Sequence, residues 1–362
     1  MVYKVIGLMS GSSLDGLDII YTHLEEARGA WKYEIKHAAC LPYSEDWQKD
    51  LNAVQNLSAP EFLKLHTRYG KFLADQIKNF ITGNALQHQV DFIASHGHTA
   101  FHDPEAHTSA QLGCGATIAA HLQLPVISEL RAMDVALGGQ GAPIVPIGDK
   151  LLFSGYDYWL NIGGIVNISV KGADGIHAFD VCPGNQVLNI LAEKEGKDMD
   201  ENGDMAREGN LLQGVLSRLN EQAYFQESPP KSLNNDAAKQ LAFPILLESA
   251  HDVKDLLHTF VCHIAEQVAL GIKQKPATPE NARMLITGGG AFNGFLIEKI
   301  TEQLRDSQVE IVIPDAQTIK FKEALVMSLI GALRWREEVN VLSSATGASR
   351  DSVSGALWMG HS

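Results

Sequence analysis

Twelve residues near the start of the chain, Gly7-Leu-Met-Ser-Gly-Ser-Ser-Leu-Asp-Gly-Leu-Asp18, place small hydroxyl and glycine residues between two apolar runs. Glycine permits unusual dihedrals and close backbone approach, so such a turn aims several N–H groups at one point, which suits a phosphate. Gly11, Ser12, Ser13, Leu14, Gly16 and Leu17 supply the turn, while Asp15 and Asp18 stand where a cation beside the phosphate would be held, directly or through water. An ordinary hairpin turn has the same composition. What favours the phosphate is a second turn of the kind, Asn161-Ile-Gly163-Gly164-Ile-Val-Asn167, far downstream. A third segment, Gly288-Gly289-Gly290-Ala-Phe-Asn293, is expected to open a helix with its N–H groups toward a ligand; a tight turn chosen for packing is the plainer explanation.

Asp180 ends a short apolar strand and is followed by Val181-Cys-Pro-Gly-Asn185. A strand terminus is a rigid mount, so this carboxylate can serve as a general base, and capping of the turn at Gly184 or Asn185 is its competing role. Ser95-His-Gly-His-Thr-Ala-Phe-His-Asp-Pro104 gathers three histidines in seven residues. A metal site, with His102 or Asp103 as a further ligand, would usually recruit a second segment, whereas hydrogen bonding to substrate hydroxyls needs only the groups present. Arg131, followed by Asp134 and a glycine-rich loop, is a fixed cation fit to clamp a carboxylate or phosphate; an Arg131–Asp134 pair on a linker is the alternative. Glu323 is read as opening the last helix, where the dipole favours a carboxylate.

These residues need rigid elements to carry them. The chain reads as strands at 2–9, 17–24 and 33–39, a helix capped by Ser58-Ala-Pro-Glu61, a buried strand at 90–95, a helix at 116–122 and a strand at 125–128. From Tyr158 the order begins again: strands at 158–162, 165–170 and 175–181, helices through 211–224 and 253–272, a strand at 283–287, a helix at 293–304, a strand at 309–313 and a helix at 321–337. Ser228-Pro-Pro-Lys231 reads as a surface loop. The chain has 362 residues, 45% of them hydrophobic, enough for two cores. A net charge of −14 argues against nucleic acid and anionic membranes as partners and for a small molecule. No membrane span or signal-type start is read, so a cytoplasmic protein is expected, and four scattered cysteines are expected reduced and mostly buried. P-loop and dinucleotide fingerprints are absent.

In this order the segments resemble the anhydro-N-acetylmuramic acid kinases, within the sugar kinase, actin and Hsp70 group. The matching pieces are 7–18, 95–104, 131–146, 161–169, 179–185, 230–232, 288–293 and 323–324, so the likeness runs along nearly the whole chain. The resemblance implies an α/β fold of two duplicated ribonuclease-H-like domains of the actin/hexokinase type with an interdomain cleft: residues 1–128 with the tail 342–362, and residues 129–341. It implies ATP and Mg2+, hydrolytic opening of a 1,6-anhydro sugar with phosphorylation at O6, and a homodimer. By the same resemblance 11–18 and 161–167 would be the phosphate turns, with Asp15 the metal-side carboxylate, and 288–293 would lie near adenosine. Asp180 would be the base that activates water, Glu323 a second carboxylate near it, and His96, Gly97, Arg131 and Asp134 the sugar side. Leu112-Gly-Cys114 stands where the family usually reads Ile-Gly-Asp, Glu129-Leu-Arg131 for Asp-Phe-Arg, Leu233-Asn-Asn-Asp236 for Gly-Arg-Glu, and Cys182 for Gly. These departures leave two other readings open: a kinase of another anhydro sugar or hexose, and a non-catalytic nucleotide-dependent sensor of cell-wall fragments.

Overall fold

The computed structural model describes all residues except 12, 13, 15, 174, 230, 234, 248, 249, 274–280, 361 and 362. The described residues form two compact units: residues 1–154, 174–176 and 321–362, and residues 155–173 and 177–320.

In the first unit β1 (Val2–Ser10), β2 (Gly16–Ala27) and β3 (Ala30–Pro42) form the expected antiparallel meander, and β4 (Phe92–Ser95) lies parallel to β1. A hairpin, β5 (His98–Asp103) and β6 (Thr108–Leu112), stands apart, where the sequence reading assigned no element. Strand β7 (Val126–Ser128) pairs parallel with β4 and is closed antiparallel by β13 (Ala356–Trp358), giving the order β13-β7-β4-β1-β2-β3. Every residue of β4 is buried, as befits a strand covered on both faces, so it reads as a continuous apolar run without alternation. The helix Ala59–Gly83 begins where Glu61 Oε2 accepts from Ser58 N at 2.9 Å, and its Leu65, Tyr69, Leu73 and Ile77 join Ile6, Leu8, Ile19 and Ile93 in the core.

The second unit repeats the plan. Strands β8 (Tyr158–Ile162), β9 (Ile165–Lys171), β10 (Ile176–Pro183), β11 (Arg283–Thr287) and β12 (Glu310–Val312) take the order β10-β9-β8-β11-β12, with β8 and β9 antiparallel and β8, β11 and β12 parallel. Leaving aside the β5–β6 hairpin and the closing strand β13, both sheets run third, second, first, fourth, fifth when counted from the first strand of each unit. The amphipathic helix Val253–Lys273 packs Phe260, Ile264 and Val268 with Leu160, Ile168 and Ile286. This duplicated α/β arrangement is that of two ribonuclease-H-like domains.

The expected boundary after residue 128 differs from the units observed, because residues 129–154 are tied back into the first: Arg131 bonds His96, His107 bonds the Val135 carbonyl, and Asp149 pairs with Lys322. The last long helix, Ala316–Trp335, starts five residues before the expected position, with Asp315 accepting from Thr318 N at 2.9 Å at its start. Of the four cysteines, expected mostly buried, Cys182 alone is buried; Cys40 is exposed, and Cys114 and Cys262 lie between. Among the described residues no helix is long and apolar enough to cross a membrane.

Candidate active site

In the first unit the carboxyl ends of β1 and β4 lie side by side, Leu8 opposite Ser95, so Ser10 and the segment His96–His98 emerge together. His96 is 2% exposed; its Nδ1–H donates to the Gly97 carbonyl at 2.9 Å and its Nε2 accepts from Arg131 Nε–H at 2.8 Å. Burial, and then the Arg131 charge, push its pKa down to about 3, so it is a neutral acceptor that aims the guanidinium. Arg131 also donates through Nη1 to the Gly141 carbonyl at 2.5 Å. Burial lowers its pKa to about 10, while Glu323 and Asp134 pull the other way, and it keeps its charge at neutral pH.

Asp134, expected on the sugar side, has no exposed surface: Oδ2 accepts from Gly141 N at 2.8 Å and Oδ1 from the Thr346 hydroxyl at 2.7 Å. Its carboxylate holds the loop whose carbonyl holds Arg131, so its part is to position. The bond chain Thr346–Asp134–Gly141–Arg131–His96 replaces the Arg131–Asp134 ion pair weighed from the sequence. Glu323 lies two turns inside its helix, beyond reach of the dipole that seemed to account for it. The helix sits directly on β1, since a Cβ on Gly7 would meet the Ala324 carbonyl at 2.4 Å and Ser328 Oγ at 2.1 Å. Burial holds the Glu323 carboxyl above its ordinary range, against the pull of Arg131 and Lys322; Lys322 itself is paired with Asp149 at 2.7 Å in a buried bridge.

A cavity of about 290 Å3 opens here, with Ser10, Gly11, His96, His98 and Arg131 on its polar side and Leu14, Leu51 and Val54 on its apolar side. His98 Nδ1 meets Ser10 Oγ at 3.1 Å, and Ser10 accepts from the Tyr43 hydroxyl at 2.8 Å. Burial pushes His98 down to about 4. The three histidines therefore serve different partners, His102 Nδ1 lying 3.2 Å from Ser109 Oγ, and no cluster of three metal-ligating side chains occurs among the described residues. Of the first phosphate turn, Leu14 and Leu17 are buried in the core, and Gly16, Leu17 and Asp18 stand in β2, where Leu17 lies opposite Ser10 and Leu41. Ser12, Ser13 and Asp15 lie outside the described residues.

In the second unit the β8–β9 hairpin turn keeps Asn161 opposite Asn167 and is clamped from below, Gly184 N donating to the Gly164 carbonyl and Asn185 N to the Gly163 carbonyl, both at 2.8 Å. A Cβ on Gly163 or Gly164 would meet nothing closer than 3.5 Å. Packing therefore does not demand glycine there, and the bare backbone at this tip fits the close approach of a phosphate. Gly288, at φ +82°, is a packing glycine: a Cβ on it would meet the Ile162 carbonyl at 2.6 Å. Gly289 and Gly290 enter a short 3-10 turn, and Asn293 caps the helix Gly294–Leu304 by accepting from Leu296 N at 2.9 Å. The helix after the third segment thus starts within one residue of the expected position, with the Asn293 side chain engaged as its cap.

Asp180 does not cap the turn after it. Its Oδ2 accepts from Leu233 N at 2.7 Å, its N–H donates to the Lys231 carbonyl at 3.1 Å, and its carbonyl accepts from the Tyr224 hydroxyl at 2.8 Å. Burial raises its pKa to about 6, the Leu233 bond opposing. Asp180 lies inside β10, three residues before its end, and not at the strand terminus expected from the sequence; a half-buried carboxylate near neutrality there can still take a proton from water. Tyr224, Lys231 and Leu233 escaped the sequence reading, which took Ser228–Lys231 for a surface loop; the likeness at 230–232 was the one signal there.

A sequence model described as Anhydro-N-acetylmuramic acid kinase matches residues 3–360. The chain is similar to the Anhydro-N-acetylmuramic acid kinase of Sulfurimonas denitrificans, 31% identical with 98% of each chain covered. It is 32% identical to the protein of the same name from Francisella tularensis subsp. novicida, with 97% of each covered. Among solved structures, an activator of the 2-hydroxyisocaproyl-CoA dehydratase from Clostridium difficile with bound ADPNP aligns over 91% of this chain and 93% of its own, at 14% identity and a TM-score of 0.47.

Proposed function

The chain belongs to the anhydro-N-acetylmuramic acid kinase family and is a sugar phosphotransferase, and from that premise we propose that it opens 1,6-anhydro-N-acetylmuramic acid by hydrolysis and phosphorylates O6, giving N-acetylmuramic acid 6-phosphate. Asp180 carries this reading, as a carboxylate held at about 6 with Oδ2 taken by one backbone N–H. It acts as the base on the water that attacks the anomeric carbon. Opening of the bridge frees O6, which attacks the γ-phosphate, and Glu323 is the second carboxylate near that water. Arg131, held by His96 and Gly141, receives the lactyl carboxylate, in a geometry suited to a guanidinium. The hairpin turns at 11–18 and 161–167 bind the phosphates of ATP, the phosphoryl donor, with backbone N–H groups, and 288–293 lies toward adenosine. Mg2+ neutralises phosphate charge when bound, with Asp15 its holder, directly or through water. The reaction belongs in the cytoplasm, where ATP is supplied, and the protein works as a homodimer by analogy with its family.

Incubation with MgATP and the anhydro sugar in 18O-labelled water is expected to yield a ring-opened 6-phosphate carrying label at C1. ADP release no faster with sugar than without would sink the proposal. Asp180→Asn should cut turnover by roughly 10²–10⁴-fold and leave ATP binding in place. The altered sugar-side segments favour, as a second reading, a kinase of a related anhydro sugar or hexose, which a sugar panel followed by ADP release distinguishes. Cys114, the motive for a sensor reading, occupies the N-cap of the helix Gly115–Leu122, so that substitution bears on a helix end.

A further inference from the structure

Asp180 is held at three atoms, two of them by the loop 231–233 and one by Tyr224 of the helix Ala223–Gln226, and the loop has a fastening of its own. The Lys231 ammonium donates to the Tyr224 carbonyl at 3.1 Å and lies 4.6 Å from the centre of the Tyr224 ring. Tyr224 in turn donates its hydroxyl to the Asp180 carbonyl, while Lys231 accepts from Asp180 N and Leu233 N reaches Oδ2. Lys231 and Tyr224 therefore close a ring of contacts that starts and ends on Asp180. An ammonium half-sheltered over an aromatic face is held more firmly than one in water, and a lysine that only needed solvent would not turn inward here.

We propose that Lys231 and Tyr224 are positioning residues for the base: together they latch the loop 231–233 onto β10, fixing the Asp180 carboxylate and shielding one side of it from water. This rests on Asp180 being the base. Neither residue touches the reacting atoms. The latch is needed because strand β10 alone fixes only the Asp180 backbone; the carboxylate rotates about its own bonds unless something holds an oxygen, and the Leu233 N–H does so only while the loop stays down. The ionisable groups around Asp180 are Lys231 and Tyr224 from the loop side, Glu227 beyond them, and Cys182 on its own strand. Release of the loop would admit water, removing the main cause that raises the Asp180 pKa, and would remove the weaker opposing bond as well.

Tyr224→Phe keeps the ring and loses the hydroxyl, and Lys231→Met keeps the stem and loses the ammonium. In the full-length enzyme each is expected to lower kcat 10- to 100-fold with KM for ATP and sugar within threefold, and to move the acid limb of the kcat/KM profile below pH 6. Lys231→Arg should recover most of the rate. Unchanged kcat and an unmoved limb in both variants would overturn the proposal, as would a loss of thermal stability with the limb still in place, since that is what a purely structural role produces. Asp180→Asn, measured beside them, separates the two readings: if it still turns over, the base assignment fails, whereas if it is dead and both latch variants are normal, only the latch fails.

Discussion

Burial that lifts Asp180 to about 6 makes its ionised form unfavourable in the folded chain at neutral pH. The folded pKa lies above the ordinary 3.8, so the contribution to stability is fully present below 3.8 and is lost as pH rises through about 6. Asp180→Asn removes the charge and keeps an oxygen for Leu233 N. The variant should therefore be more stable than the parent at pH 8, by about 1 to 2 kcal/mol after allowance for partial exposure, with the gain gone near pH 3.5. Urea denaturation at the two pH values checks this; an equal difference at both would refute it. The same substitution is expected to remove activity, so the residue trades stability for chemistry. Asp134 is the opposite case, a buried carboxylate with both oxygens bonded by its own chain.

Helix ends show what the sequence could and could not tell. Cys114 caps the helix Gly115–Leu122 without any side-chain bond, where a carboxylate would accept from the first-turn N–H groups and meet the positive end of the dipole. Cys114→Asp should stabilise the protein by about 1 kcal/mol, read as a raised denaturation midpoint with unchanged slope. The strands Tyr158–Ile162 and Arg283–Thr287 were legible to the residue because β-branched and apolar runs end there at glycine or polar turns. Ser58 and Glu61 announced a helix for the same local reason. The hairpin His98–Asp103 with Thr108–Leu112 was not legible, since its polar, histidine-rich strands lack the usual apolar alternation, and the start of the last long helix was misjudged because Asp315 was not taken as its cap. At the site, types and order pointed to Asp180, Arg131 and the two hairpin turns. The grip of Tyr224, Lys231 and Leu233 depends on contacts made 44 to 53 residues away in the chain, beyond any local pattern.

The first unit is assembled from both ends of the chain, and its last piece braces Asp134. Asn340 has no exposed surface and bonds the Ile330 and Ser354 carbonyls, Val341 and Leu342 are buried, and Thr346 holds Asp134. A chain ending at Glu337 would lose burial on the order of 5 kcal/mol, comparable to the whole stability of a domain. Limited proteolysis with mass spectrometry should then show cuts within residues 1–154 while residues 177–320 resist; resistance throughout would contradict it. The Arg131–His96 pair has a consequence for the molecule at work in a changing cell. The guanidinium keeps its charge up to about 10 and the imidazole stays neutral down to about 3, whereas Asp180 changes state near 6. With Arg131 and Asp180 in the proposed roles, acidification of the interior to pH 5.5 would leave the Arg131 cation in place while protonating most of Asp180, so conversion would slow and recover with the pH.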